Sequence, residues 1–288
     1  MHVSSLHIYP VKSLGGISLE RMPLYKRGPI FDREWMLVDD QGLFLSQREK
    51  SRMALIKCRL EDLAELGKIE TAKTLCIDVP GYPTISVDIQ TGANSEGADS
   101  DNANEVIEVK VWKDKCMARV EKVGAEILSD YLVQKVRLVR MLPDFDRSID
   151  EDYIGKGKHA DTVGFADGFP LLLISDASLD DLNSKLEIPV EMNRFRPNIT
   201  VSGATPFAED KWTDVKVAGR DVHMEIVKPC SRCQITTIDQ DTADISKEPL
   251  RTLSTFRKQD GKVMFGQNAV LTPVKDGAAI YLQDELLT

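Results

Sequence analysis

The chain consists of many short segments in which apolar and polar residues alternate, each ended by Gly, Pro or Asp. Alternation with a period of two puts one face of a β-strand against a core and leaves the other in solvent. Segments with this pattern occupy residues 2–9, 17–25, 34–40, 53–60, 74–79, 84–89, 106–112, 136–140, 171–174, 198–201, 215–217, 221–227, 268–272 and 279–282. The pattern predicts a mainly β protein of the α+β class.

A few stretches carry other signals. Residues 121–132 put apolar side chains on one helical face, Ser175 is a suitable N-cap for a second helix, and residues 248–256 predict a third. Residues 93–105 hold four acids and no base, which indicates a solvated loop. The polar, Gly-bearing residues 143–164 are typical of a connection between two halves. A chain of 288 residues can form two domains, so we expect two β-barrel-like units with a few short helices.

The charge of the chain restricts its partners. A formal net charge of −9 argues against a general affinity for nucleic acid or anionic membranes, so any anion site has to be local. The longest apolar run, residues 169–174, is far shorter than the ~20 residues of a membrane-spanning helix. The amino terminus enters a strand without the basic and apolar regions of a secretory signal. We expect a cytoplasmic protein that binds neither nucleic acid nor membrane.

Two of the five cysteines form the motif Cys230-Ser231-Arg232-Cys233 at the end of a predicted strand. Thiolates at a rigid strand end are suited to bind a metal ion. The motif alone fits a zinc half-site, a redox dithiol or an incidental pair, and these interpretations remain open. The other cysteines, Cys58, Cys76 and Cys116, are scattered, and the odd total favours reduced thiols over a disulfide framework.

Further candidate residues lie near the amino terminus. Lys12 and Ser13 come directly after a predicted strand and before the Gly15-Gly16 turn. Free backbone amides beside a lysine and a hydroxyl suit a phosphate group. The same glycines are explained equally well by an ordinary surface hairpin. This segment is therefore a candidate phosphate site whose confirmation depends on other parts of the chain.

Arginines supply the remaining cationic candidates. Arg33 and Arg48 flank one predicted hairpin, where ordinary surface ion pairs would also account for them. Arg194 and Arg196 are two residues apart before Pro197, a spacing that puts both guanidiniums on one face of an extended segment. Such a pair is suited to clamp an anion, and Asn198 adds both a donor and an acceptor.

Six segments occur in the order found in the MOSC family. They are Tyr9-Pro10-Val11-Lys12-Ser13, Asp32-Arg33-Glu34-Trp35, Ser46-Gln47-Arg48, Arg194-Phe195-Arg196-Pro197-Asn198, Ala208-Glu209-Asp210-Lys211-Trp212, and Cys230-Ser231-Arg232-Cys233 with Thr236, Thr237 and Asp239 after it. The chain resembles the branch with an N-terminal MOSC β-barrel, which includes reductases of amidoximes and hydroxylaminopurines. The resemblance covers nearly the whole chain. It implies an N-terminal barrel over residues 1–142 and a MOSC core barrel over residues 143–288.

The resemblance implies a molybdenum cofactor, which is a pyranopterin whose dithiolene binds molybdenum and whose phosphate is held by basic residues. Its motif makes Cys233 the protein ligand of the metal. Cys233 and Asp239 are the expected catalytic residues, with Asp239 orienting Thr236, Thr237 or bound substrate near the metal, although this aspartate could equally cap a turn. The residues that the resemblance assigns to the pterin and phosphate are Lys12, Ser13, Arg33, Arg48, Arg194, Arg196 and Asn198. Cys230 could pack, contact the ligand sulfur or serve as a redox-sensitive spare. Family terms also include pyridoxal phosphate binding, for which no residue is assigned.

The activity that the resemblance implies is reduction of hydroxylamines, N-hydroxypurines or amidoximes to the amine, with two electrons and two protons consumed. The chain ends at Thr288 without a cysteine cluster for an iron–sulfur module. A separate protein of ferredoxin, flavodoxin or cytochrome type is therefore the expected electron donor. Where the family has Gly after its Asp-x-x-Thr turn, this chain has Ala243.

Two other functions remain open. In the first, the protein carries the cofactor or handles sulfur without turnover, and Cys230 and Cys233 relay sulfur between them. The second is a zinc or dithiol module unrelated to molybdenum. The sequence offers no second Cys/His pair at the spacing that would complete a tetrahedral zinc site.

Overall fold

The computed structural model describes residues 1–89, 105–145, 147–153 and 162–288, and this part of the chain is mainly β. Its three α-helices are α1 (Ala125–Leu132), α2 (Asp176–Asn183) and α3 (Leu250–Phe256). The strands are β1 (His2–Ile8), β2 (Ile17–Leu19), β3 (Arg21–Tyr25), β4 (Gly28–Pro29), β5 (Trp35–Val38), β6 (Lys57–Glu61), β7 (Thr74–Asp78), β8 (Ile85–Asp88), β9 (Val106–Val111), β10 (Asp114–Val120), β11 (Arg137–Met141), β12 (Leu171–Ser175), β13 (Ile199–Ser202), β14 (Asp214–Val217), β15 (His223–Ser231), β16 (Lys258–Gln259), β17 (Lys262–Leu271), β18 (Ala279–Tyr281) and β19 (Leu286–Leu287). The predicted mainly β class is confirmed.

One large sheet joins strands from both ends of the chain. Its order is β19-β14-β15-β17-β12-β13-β1-β2, and β16 adds to β17. Its pairs are antiparallel apart from β12 and β13, which run parallel. The smaller sheets have the orders β5-β11-β10-β9, β18-β3-β4 and β6-β7-β8. Because β1 and β2 pair with strands of the carboxyl-terminal half, the amino-terminal segment belongs to the large sheet. The division at residue 142 stays a prediction.

Two apolar clusters hold these sheets together. Leu6, Ile199 and Leu271 belong to the cluster on the large sheet, and none of them is more than 2% exposed. The second cluster includes the fully buried Trp35, whose indole Nε1 donates a hydrogen bond to Glu121 Oε1 at 3.2 Å. Burying a large apolar side chain contributes about 1.5–3 kcal/mol. The packing fixes the strand ends from which the candidate site is built.

Several predicted elements differ from those observed. The segment 17–25 forms two strands rather than one, and residues 51–55 form a 3₁₀ turn before β6 begins. The helix predicted over residues 121–132 begins only at Ala125, because Gly124 adopts a left-handed conformation with φ of 83°. Strand β10 was not predicted.

Other predictions fall partly on residues outside the described ranges. The loop predicted over residues 93–105 lies almost wholly in the gap between residues 89 and 105. The connection predicted over residues 143–164 is described only in part, and the described part includes a short 3₁₀ turn at Glu151–Tyr153. In the described ranges, no helix is long and apolar enough to cross a membrane.

Candidate functional site

A polar pocket forms where the loops after β1, β5 and β15 meet the segments that precede β12 and β13. Its wall includes Lys12, Ser13, Arg33, Ser46, Arg48, Ala166, Asp167, Gly168, Phe169, Leu171, Leu172, Phe195, Arg196, Asn198, Cys230, Ser231, Arg232, Cys233, Ile235, Thr236 and Asn268. The pocket brings together seven of the residues singled out from the sequence as site residues, and Cys230 lies beside them. Arg194 and Asp239 do not line it. Segments more than 200 residues apart in the chain, such as those of Lys12 and Cys233, thus meet at one cavity.

The backbone of the pocket is held in uncommon conformations. Ser13, Arg33 and Arg196 have φ values of 68°, 49° and 56°, in the left-handed region that residues other than glycine rarely adopt. Each such residue costs about 1–3 kcal/mol and persists only where the surrounding structure enforces it. Three such residues in one cationic wall indicate that the strained backbone lowers stability but orients these side chains toward the pocket.

Arg33 is positioned by its neighbour. Its Nη1 donates to both carboxylate oxygens of Asp32, at 2.7 and 2.5 Å, and to Asn198 Oδ1 at 3.2 Å. Asp32 Oδ1 also accepts a 2.8 Å hydrogen bond from the amide of Tyr9, which ties the guanidinium to the end of β1. Asn198 is 2% exposed and its Nδ2 donates to the carbonyl of His7. It therefore orients Arg33 and joins β1 to the segment before β13.

Arg196 carries hydrogen-bonding capacity that the described residues do not use. Its Nη2 is shielded from solvent and has no hydrogen-bond partner among them. The guanidinium lies 4.1 Å from the centroid of the Tyr9 ring, and Arg33 lies 4.3 Å from the same ring. Burial lowers the pKa of Arg196 to about 10, and the neighbouring charge of Arg33 acts in the same direction. A shielded, unpartnered cation is a group that an anionic ligand would satisfy.

Lys12 is the most enclosed cation of the wall, with 5% of its surface exposed. Its Nζ donates to the Phe165 carbonyl at 2.8 Å and to Asp167 Oδ1 at 2.5 Å. Burial lowers the pKa of Lys12, and the Asp167 carboxylate opposes that shift. Asp167 also accepts from the indole Nε1 of Trp112 at 3.2 Å, so the lysine is anchored to the rim of the pocket.

Two arginines lie next to the two thiols. Arg48 Nη1 is 3.8 Å from the Sγ of Cys233, and its guanidinium stacks on the Trp112 ring at 4.4 Å. Arg232 Nη1 donates to the Sγ of Cys230 at 3.0 Å, and its Nη2 donates to the Phe195 carbonyl at 2.6 Å. The two cysteines are therefore served by different arginines, and both thiols are free and partly exposed.

The position of the thiols follows from strand pairing. The β15–β17 ladder shifts register between Pro229 and Ser231, directly before the end of the strand. The amide of Arg232 then donates to the Val263 carbonyl at 2.7 Å, which holds the Cys230–Cys233 turn against β17. Cys233 precedes a 3₁₀ turn, Gln234–Thr237, and its carbonyl accepts from Thr236. The motif is rigid on both sides.

The predicted clamp of Arg194 and Arg196 is not formed, because the segment is not extended. Residues 192–194 form a 3₁₀ turn and Arg196 has a left-handed backbone conformation. The two guanidiniums therefore contact different residues. Arg194 instead pairs with Asp239, Nη2 to Oδ2 at 2.7 Å. Asp239 Oδ1 accepts from the amides of Asp241 and Thr242 at 2.9 Å, so this aspartate caps a turn. Ala243 closes that turn with φ of 63°, a conformation that explains glycine at this position in the family.

Sequence reasoning did not assign two wall residues, Arg232 and Asp167, nor Trp112, which contacts the wall residues Arg48 and Asp167. Arg232 holds Cys230 and Phe195, Asp167 holds Lys12, and Trp112 supports Arg48 at the rim. Arg232 could have been found from its place between the two cysteines. Asp167 and Trp112 carry no such local signal, because their role depends on contacts with residues far away in sequence.

The site thus combines a strand-end thiol with an excess of cations. Arg33, Arg48, Arg196 and Arg232 line the pocket, and the one carboxylate among its described wall residues, Asp167, is already paired with Lys12. Shielded nitrogens without partners occur at Arg196 Nη2 and Arg232 Nε. In the part of the chain that the structure describes, no group of three or more His, Cys, Asp or Glu side chains is placed to hold a metal ion. The wall therefore places an excess of cations beside the thiols of Cys230 and Cys233.

The chain belongs to the MOSC family. The MOSC N-terminal beta barrel domain matches residues 1–135, and the MOSC domain matches residues 160–286. The resemblance read from the six sequence segments is confirmed.

Named relatives fall into two groups. Mitochondrial amidoxime-reducing component 1 of Homo sapiens is 31% identical, with 97% of this chain and 82% of the relative covered. Mitochondrial amidoxime reducing component 2 of Rattus norvegicus is 33% identical, with 91% and 74% covered. Molybdenum cofactor sulfurase of Arabidopsis thaliana is 31% identical over 92% of this chain but only 32% of the relative, so the chain spans about a third of that protein. These names do not support the pyridoxal phosphate term.

Proposed function

We propose that this protein is a molybdenum-cofactor-dependent oxidoreductase that reduces N-hydroxylated compounds with electrons from a separate protein. The observation that carries the proposal is that Cys233 lies in the same pocket wall as a cluster of cations. One of these cations, Arg196, has a guanidinium nitrogen that is shielded from solvent and has no hydrogen-bond partner among the described residues. A pterin phosphate would supply the anion and molybdenum would take the thiolate as a ligand. The names of the amidoxime-reducing relatives support the same class of substrate.

The roles of the chain's own residues follow from their contacts. Lys12, Ser13, Arg33 and Arg196 would bind the anionic part of the cofactor, with Asn198 holding Arg33 in place. Arg48 lies beside the Cys233 sulfur and would pair with its charge when that sulfur is a metal ligand. Arg194 and Asp239 form a salt bridge with each other, and we expect this pair to hold the loop after the Cys233 turn in place.

The cofactor would supply two-electron oxygen-atom chemistry, for which the protein provides binding and electrostatics. In the overall reaction a hydroxylamine R–NHOH takes two electrons and two protons and gives R–NH₂ and water. The electrons leave a donor protein and the protons come from solvent. Which N-hydroxylated compound is used would depend on the loops around the pocket, including the one that carries Trp112, which contacts the wall residues Arg48 and Asp167 and is 43% exposed.

The test is to make wild-type and Cys233→Ser protein in cells that produce the cofactor, and to measure molybdenum and fluorescent pterin. We expect near-stoichiometric molybdenum in the wild type and a loss of at least about tenfold in the variant. Wild-type protein should also convert benzamidoxime to benzamidine with reduced methyl viologen as the electron source. Wild-type protein with neither molybdenum nor pterin would overturn the proposal.

A second candidate is a cofactor carrier or sulfur-handling protein without turnover. The observation in its favour is the match to part of the molybdenum cofactor sulfurases, together with the contact of Arg232 with Cys230 at 3.0 Å. Sulfur relay requires both thiols, whereas metal ligation requires one. Cys230→Ser separates the two: the reductase keeps most of its molybdenum and turnover in this variant, and a sulfur relay loses its function as fully as with Cys233→Ser.

The cytoplasmic location and the lack of nucleic-acid or membrane partners remain predictions from the sequence. Fractionation of cells that make the protein at natural levels would test the location, and the relatives named mitochondrial make that compartment the alternative.

A further inference from the structure

A second, open depression lies on the other side of the Cys233 turn. We call it the basic groove; its lining is Ser231, Arg232, Cys233, Gln234, Thr237, Ser246, Lys247, Leu250, Arg251, Ser254, Gly261, Lys262 and Val263. Four of these side chains are cations and none is an acid. The whole chain, in contrast, has 46 acids against 37 Lys and Arg. Such a local reversal of sign creates a field that attracts anionic partners.

Three of the four cations of the basic groove are available, and the fourth, Arg232, is held by Cys230 and the Phe195 carbonyl. Lys247, Arg251 and Lys262 are exposed, and none of them has a carboxylate within ion-pair distance among the described residues. They come from two separate parts of the chain, the start of α3 and the β16–β17 hairpin. Exposed charges of this kind are worth little for stability. Their clustering is therefore better explained by a partner than by folding.

The basic groove reaches the candidate site. Ser231, Arg232 and Cys233 line both the pocket and the groove, so the turn that carries the thiol is the wall between them. A protein bound in the groove would contact the backbone of this turn, while the pocket on the other side of the turn stays open to substrate. The two ligands could thus be bound at the same time.

We propose that the basic groove is the docking surface for the electron-donor protein and that this donor presents an acidic face. The inference rests on the proposed function, which needs two electrons from outside the chain. Delivery through the groove brings them to the Cys233 turn. The donor is oxidised by two electrons in all, and R–NHOH takes up these electrons and two protons from solvent to give R–NH₂ and water. A small anion is a poorer occupant, because Lys247, Arg251 and Lys262 are exposed to solvent, whereas Arg196 Nη2 in the pocket is shielded from it. Complementary charge across such a face mainly raises the association rate.

The test compares two triple variants with equal charge change. The groove variant carries Lys247→Glu, Arg251→Glu and Lys262→Glu. The control carries Lys73→Glu, Lys122→Glu and Lys216→Glu, three exposed lysines that do not line the groove. The Kd for fluorescently labelled flavodoxin, an acidic one-electron carrier, is measured by anisotropy at several salt concentrations. Turnover of benzamidoxime is measured with reduced flavodoxin and with reduced methyl viologen, a small cation.

We expect the groove variant to raise the Kd for flavodoxin at least about tenfold at low salt and to flatten its salt dependence, with the control within about twofold of wild type. Turnover with methyl viologen should be unchanged in both. Equal Kd values in the two variants overturn the inference, as does the lack of wild-type binding to flavodoxin, to a plant-type ferredoxin and to a cytochrome b5 alike. Millimolar inorganic phosphate that abolishes binding without a matching ionic-strength effect would assign the groove to a small anion instead. Failure of methyl viologen turnover in the wild type counts against the reductase itself, independently of the binding results.

Discussion

At the scale of single residues, the two arginines of the Arg194-Phe195-Arg196 segment separate cofactor binding from folding. Arg196 keeps an unpartnered, shielded nitrogen and a pKa that burial lowers to about 10, so its charge is poorly compensated in the cofactor-free protein. Arg196→Gln should therefore stabilise the cofactor-free protein by about 1 kcal/mol and reduce its molybdenum and pterin content at least about tenfold. Urea unfolding and elemental analysis of the same preparations measure the two effects.

Arg194→Gln is the matched control for that substitution. The Arg194 guanidinium is already paired with Asp239 and does not line the pocket. We expect its loss to destabilise the protein by about 0.5–1 kcal/mol and to leave cofactor content within about twofold of wild type. If Arg194→Gln lost as much cofactor as Arg196→Gln, the assignment of the two residues to different roles would be wrong.

Ala243 gives a second prediction at this scale. Its φ of 63° costs a residue with a Cβ about 1–2 kcal/mol, although glycine in its place gains entropy in the unfolded chain. Ala243→Gly should therefore stabilise the protein by about 0.5–1 kcal/mol, as judged by the midpoint of urea unfolding. Ala118→Gly in the extended, fully buried part of β10 is the control, and it should destabilise. A loss of stability in Ala243→Gly would show that the turn does not depend on the left-handed conformation.

At the scale of elements, the sequence is informative where alternation meets a sharp stop and poor where it does not. β8 was found because Ile85 and Val87 alternate with Ser86 and Asp88, and β7 because its short apolar run ends before Pro80 and Gly81. β10 was missed because its outward face carries Lys115 and Met117 and its inward pattern is short. Residues 51–55 form a 3₁₀ turn where a strand was predicted. A short apolar run fits a strand or a helical turn equally well, and long-range packing decides between them.

The central strand β17 carries the prediction at this scale. Gly266 has φ of 78°, and a Cβ there would lie 2.6 Å from Ile174 Cγ1 and 3.0 Å from the Leu173 carbonyl oxygen. Gly266→Ala should destabilise the protein by about 2–4 kcal/mol, since strain in φ adds to a clash with packed atoms of β12. Thermal or urea unfolding measures the loss, and the strand that supports the Cys230–Cys233 turn would be disturbed as well.

Gly219→Ala isolates the steric part of that loss. Gly219 has φ of 71°, but an added Cβ would meet no atom within 4 Å. Only the cost of the left-handed conformation remains, about 1 kcal/mol. Equal losses at the two glycines would mean that contact with Ile174 plays no part.

At the scale of the whole molecule, the sequence predicts which residues form the site but not how the fold brings them together. The six ordered segments named Lys12, Arg33, Arg48, Arg196 and Cys233, and the fold brings all five to one pocket. Their mutual arrangement depends on β1 reaching across to β13, a pairing between residues nearly 200 positions apart. No local pattern encodes that pairing, and for the same reason the divergence of Arg194 toward Asp239 could not be read from its spacing.

The same pairing predicts that the two halves of the chain fold only together. β1 lies between β13 and β2 in the large sheet, with Leu6 opposite both Ile199 and Leu19, so residues 143–288 alone would leave the edge of β13 and its apolar face uncovered. The fragment 143–288 should show no cooperative unfolding transition by circular dichroism, while the full chain unfolds in one transition seen equally by circular dichroism and tryptophan fluorescence. Adding a synthetic peptide of residues 1–25 should restore partial order to the fragment. A sharp transition in the isolated fragment would mean that β1 is an accessory to an autonomous domain rather than part of its core.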